Sequence, residues 1–153
     1  MHGFGSRWIG MTNGLVDLQI NVKIKLASLW VTVMLLYLYA DLFGFFIPGH
    51  IDQIRAGELT GAQINQELLL GFMILMTIPG LMVFLSLTLK PNVNRWANII
   101  VGILQIFFVL TGILDPNLFF KFASSIETVL LLLIIRHAWT WPTQEDSTRI
   151  VRS

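Results

Sequence analysis

Polar and apolar positions divide this chain into four nearly uncharged runs, residues 26–47, 68–89, 96–114 and 118–139, separated by short polar punctuation. Each run is 19 to 22 residues long. At about 1.5 Å per helical residue, that length crosses a hydrocarbon core of roughly 30 Å. Lys23 and Lys25 precede the first run and Pro48-Gly49 follow it, while Lys90-Pro91, Asp115-Pro116 and Pro142 close the others. The runs lack the period-two alternation that a barrel strand needs, so they predict helices. The expected fold is all-α, an integral membrane antiparallel four-helix bundle over residues 26–141. A cytoplasmic N-terminal segment at 1–25 and a cytoplasmic tail at 142–153 flank it. The one sizeable connection, 48–67, predicts a short surface helix in which Ile51, Ile54 and Leu59 lie among charged residues, with Gly57 and Gly61 keeping it short.

Composition sharpens this picture. Of 153 residues, 55% are apolar and 12% charged, well under the roughly 25% charged residues of soluble domains. Cysteine is absent, which removes disulfides and thiolate metal sites and excludes quinone-coupled thiol-redox chemistry. The net charge of +1 offers no basic field for nucleic acid; the lipid bilayer is the expected partner. Lys and Arg are unevenly shared between the two sides. Eight fall in the N-terminal segment, the second connection and the tail (Arg7, Lys23, Lys25, Lys90, Arg95, Arg136, Arg149, Arg152), against Arg55 and Lys121 in the other two connections. The positive-inside rule then puts both termini in the cytoplasm, as expected for a multi-pass protein of a bacterial inner membrane. Trp30, Trp96, Trp139 and Trp141 fall toward the same side, as an interfacial aromatic belt would. Residues 1–21 lack the basic-then-apolar pattern of a cleaved signal peptide, and Met11 is a second candidate start.

Polar groups at hydrocarbon depth are the informative positions, because each needs a partner or a water-filled space. The first run carries Tyr37 and Asp41 one helical turn apart, the second Thr77 just before Pro79-Gly80, and the fourth Ser124, Glu127 and Thr128. In the third, Asn98, Gly102, Gln105 and Gly112 make one narrow polar and small stripe. Counted inward from the outer ends, Tyr37 lies roughly 15 Å deep, Thr77, Gln105 and Glu127 roughly 14 Å, and Asp41 about 9 Å. A polar centre near midplane with an acidic approach above it is the expectation. Two accounts of it stand. In one, Tyr37, Thr77 and Gln105 satisfy a neutral Glu127 and act as interhelical glue. In the other, Glu127 is a proton or ligand site that Asp41 opens to the outer face.

No cofactor is expected: His50 and His137 lie at opposite ends, which argues against bis-histidine haem, and no metal-ligand or hydrolase motif is present. An enzyme acting on lipid or quinone would need a nucleophile, metal or redox site that the runs do not offer.

The strings KLASLWVTVMLLYLYADLFG, ILMTIPGLMVFLS, NRWANII and IETVLLLLIIRHAW resemble an uncharacterised bacterial family of small four-span membrane proteins. The resemblance covers about Lys23 to Trp141. Its most specific elements are Tyr39 to Asp41, Asn94 to Asn98, and Glu127. The family pattern often has Glu before the Ile-Pro of the second span, where this chain has Thr77, so the resemblance implies no two-carboxylate mechanism between the second and fourth helices. It brings no activity with it, and a broader similarity to DoxX-like membrane proteins concerns architecture alone. The leading functional expectation is an accessory or structural membrane subunit held by its polar network. The alternative is a small-solute or proton-coupled binding or transport protein with a midplane site of Glu127, Tyr37, Thr77, Gln105 and Asp41. Four helices make a thin wall around a pore, so transport calls for a homodimer or larger membrane complex.

Overall fold

The computed structural model describes residues 20–59 and 61–141. The segments 1–19 and 142–153, which hold most of the expected cytoplasmic N-terminal stretch and all of the tail, lie outside the described residues. Four long helices dominate: α1 (Val22–Gly44), α3 (Gln66–Thr88), α4 (Pro91–Ile113) and α5 (Leu118–Trp139). Each is 22 or 23 residues long and apolar enough to cross a membrane. Between α1 and α3 lie a six-residue helix α2 (His50–Arg55) and a minimal antiparallel hairpin of β1 (Glu58–Leu59) and β2 (Ala62–Gln63). The expected surface helix is therefore only partly formed. It stops at Arg55, and Leu59 belongs to a strand, because Gly57 and Gly61 take a left-handed φ of 80° that turns the chain back.

Local chemistry sets the helix ends. Asn21 and Asn65 cap α1 and α3, their side-chain oxygens accepting from the backbone N–H of Lys23 at 2.9 Å and Leu68 at 2.7 Å. Pro91 occupies the first turn of α4, where its missing N–H costs no hydrogen bond, so α4 begins five residues before the expected Trp96. The Lys23 Nζ donates to the backbone carbonyls of Leu89 at 2.7 Å and Leu87 at 3.2 Å, closing the C-terminal end of α3 against the start of α1.

Those end contacts make α1 and α3 antiparallel. α4 packs most extensively on α5, α1 packs on α3 and on α5, and α3 touches α4 more lightly. The four helices thus form a ring in the order α3, α1, α5, α4, with α1 and α4 parallel across its diagonal. Glycines allow the tightest approach: a Cβ at Gly102 would lie 2.9 Å from Ile135 Cγ1, and one at Gly112 would overlap the Ser124 hydroxyl. Leu26, Trp30, Val33, Met82, Ile99, Leu131 and Ile134 fill the centre. The outer surface is apolar as well, with Leu38, Met73, Phe84, Phe107 and Leu132 exposed, a surface suited to hydrocarbon and not to water.

Candidate functional site

The polar groups of the bundle interior form successive layers along its axis. The first is built on α1, α3 and α4. Trp30 Nε1 donates to Asn98 Oδ1 at 2.7 Å, and Ser86 Oγ donates to the same oxygen at 3.2 Å. Asn98 Nδ2 donates to the side-chain and backbone oxygens of Asn94, at 2.7 and 2.9 Å, and Asn94 Nδ2 donates to the Ser86 carbonyl at 2.5 Å. All four residues are 0% exposed. Each buried donor or acceptor that would cost free energy alone has a partner here, so the layer locks three helices in one register.

This layer corrects the expectation for Trp30. It is not a member of an interfacial belt, because its indole is fully enclosed and reaches across the bundle to α4, whereas Trp96 and Trp139 are exposed. Ser86 carries no signal in the sequence, and Asn94 stands out there only as part of the family resemblance. Ser86 is one hydroxyl within an apolar run, which lipid tolerates when it bonds its own helix, and Asn94 precedes the expected start of its span.

One heptad along both helices, Tyr37 donates to Gln105 Oε1 at 3.3 Å. Gln105 Nε2 donates to the backbone carbonyl of Leu75 at 3.4 Å. That carbonyl lies four residues before Pro79 within α3, so it is the one that the proline deprives of an N–H. Gln105 thus supplies from α4 the donor that α3 lacks. A proline kink in an apolar helix needs such a donor, since lipid provides none.

Thr77 joins neither layer. Its side chain is exposed and its hydroxyl donates to the Met73 carbonyl one turn back, at 2.7 Å. Thr32, Thr88, Ser125 and Thr128 do the same with the carbonyl four residues earlier. A hydroxyl that satisfies itself can face lipid, and no interhelical partner is then required. Thr77 therefore does not meet Glu127, as a shared midplane centre would demand.

The last layer holds Glu127 on α5. It is 4% exposed, and among the described residues no hydrogen bond ends on its carboxyl. Arg95 Nε is the described side-chain nitrogen or oxygen that is both fully sealed and unpartnered. The Glu127 oxygens are therefore not sealed and keep a sliver of accessible surface. Tyr37 and Asp41 of α1 both lie within electrostatic range of this carboxyl. Asp41 is exposed at the bundle surface, one turn beyond Tyr37. Ser124, one turn before Glu127, is buried against Gly112, and Phe120 packs against Gly44. Tyr37, Asp41 and Glu127 are thus brought together, Gln105 is tied to the group through Tyr37, and Thr77 is left out.

No curated protein and no solved structure is similar to the chain at a level that marks a relative. One family model does match, over residues 15–148, which takes in every described helix. The chain belongs to that family, described as a family of unknown function (DUF6326).

Proposed function

We propose that this chain is a multi-pass protein of a cell membrane in which the Trp30–Asn98 and Tyr37–Gln105 layers hold the helices in register and the Glu127 layer engages a small solute or a proton. The observation that carries this reading is the buried Glu127 carboxyl, which has no hydrogen bond among the described residues. The glue account assigns it Tyr37, Thr77 and Gln105 as partners, yet the hydroxyl protons of Tyr37 and Thr77 go to Gln105 and Met73, and the hydrogen bond recorded for the Gln105 amide nitrogen goes to the Leu75 carbonyl. A desolvated polar group left unmatched costs about 1–3 kcal/mol, and such a cost is retained where the group has work to do. Exposed Asp41, within electrostatic range of it, gives an approach of the same sign of charge, which suits a cationic or protonated solute.

A carboxyl infrared difference spectrum taken from about pH 5 to about pH 9 tests the proton form of this reading. A band that titrates in the wild type and vanishes in Glu127→Gln supports it; a spectrum unchanged by the substitution removes it.

An accessory or structural subunit is the second reading, favoured by the saturation of the Trp30, Ser86, Asn94 and Asn98 layer. Such a layer sets register without any ligand. Co-purification of a second membrane protein whose capture survives Glu127→Gln would favour it over solute binding.

A further inference from the structure

Charge is sorted along the bundle. Among the described residues, Lys23, Lys25, Lys90, Arg95 and Arg136 lie at the end where α1 and α4 begin and α3 and α5 finish, and every described Asp and Glu lies toward the other end. The ion pair of the described residues, Arg55 with Asp52 at 3.9 Å, is at that other end too. The basic end thus has no acidic counter-charge among the described residues.

Two of its cations share one surface with aromatic and aliphatic groups. The Arg95 guanidinium carbon lies 5.2 Å from the ring centroid of Trp139, so the side chain is held across the α4–α5 boundary. Its Nε is sealed and without a hydrogen bond, while the residue as a whole is only half-buried. On α5, Val129, Leu132, Arg136 and Trp139 follow at spacings of three and four and are all exposed, which makes them one continuous face. Lys23, by contrast, is committed to the α3 carbonyls.

We propose that Arg95, Arg136 and Trp139 form a headgroup site for an anionic phospholipid, with an acyl chain lying along Leu132 and Val129. The fit is one of charge and of shape. A phosphate monoanion accepts from planar guanidinium groups in a forked geometry, two such groups stand here unopposed by carboxylates among the described residues, and the apolar stripe begins where the cations end. A zwitterionic lipid would match the stripe and carry the same phosphate, but its own headgroup cation would leave the two guanidiniums without a net counter-charge. This site is independent of Glu127, which lies on the buried face of α5.

The full chain in a zwitterionic detergent, titrated separately with phosphatidylglycerol, phosphatidylcholine and inorganic phosphate, tests the proposal by melting temperature. Phosphatidylglycerol should raise the melting temperature, and Arg95→Gln or Arg136→Gln should each raise the concentration for half of that effect about fivefold. Arg55→Gln, at the opposite end, should respond as the wild type does. Should Arg95→Gln fail to fold, exposed Arg136→Gln decides alone. An equal response to phosphatidylcholine, reproduction of the shift by inorganic phosphate, or an unchanged half-effect concentration in the arginine variants overturns the site.

Discussion

Trp30 and Trp96 are the same side chain in opposite circumstances: one is sealed and donates to Asn98, the other is 56% exposed. Replacing Trp30 by Phe keeps most of the apolar volume but deletes the donor, leaving Asn98 Oδ1 with Ser86 alone. The expected cost is about 1 kcal/mol or more, read as a lower melting temperature in detergent. Trp96→Phe should stay within about 0.5 kcal/mol of wild type. Composition could not separate these two residues, because a tryptophan near a span end suits the interface and a buried hydrogen bond equally well. The direction of Thr77 is hidden in the sequence for a related reason. Its depth is legible from counting, but its direction depends on the rotation of α3, and a helix that is apolar on every side carries no periodicity to fix that rotation. Tyr37 and Gln105 were legible because each is a lone polar group in an apolar run, and such groups seek one another.

At the scale of the element, the most specific device is the pairing of a proline in one helix with an amide in another. Gln105→Leu removes the donor to the Leu75 carbonyl and the acceptor for Tyr37, at an expected cost of about 1–3 kcal/mol. Pro79→Ala restores a backbone N–H four residues after Leu75. In that background the cost of Gln105→Leu should shrink, with a coupling of about 1 kcal/mol in a double-mutant cycle of melting free energies. Equal costs in both backgrounds would show that Gln105 does not serve the broken carbonyl. The glycines of α4 give a second test. Gly102→Ala drives a Cβ to 2.9 Å from Ile135 Cγ1 and should destabilise by about 1–3 kcal/mol, and Ile135→Ala should relieve much of the crowding. Val101→Leu, on a half-buried neighbour, should change the melting temperature less. The small and polar stripe of α4 was visible in the sequence as spacing; its partner on α5 was not, since Ile135 is an ordinary apolar residue among many.

For the molecule as a whole, four spans and their order were legible because lipid-facing and buried positions are alike apolar, which turns each helix into an unbroken run. The same likeness hides which faces meet, and this is why the architecture read clearly while the site did not. The uneven distribution of Lys and Arg predicts an orientation in which cysteine at Glu58 is labelled by an impermeant reagent from outside intact cells and cysteine at Asn92 is not; the reverse pattern would invert the topology. The central claim is that the interior layers differ in kind, the first being glue and the last a site. Asn98→Leu breaks four hydrogen bonds of a saturated layer and should lower stability by about 3 kcal/mol or more. Glu127→Met removes a buried carboxyl that holds no hydrogen bond among the described residues and fills its place with a flexible apolar side chain. The melting temperature of Glu127→Met, measured beside wild type and Asn98→Leu in the same detergent, is the most direct test: it should equal or exceed that of wild type, and a fall as deep as that of Asn98→Leu would contradict the account.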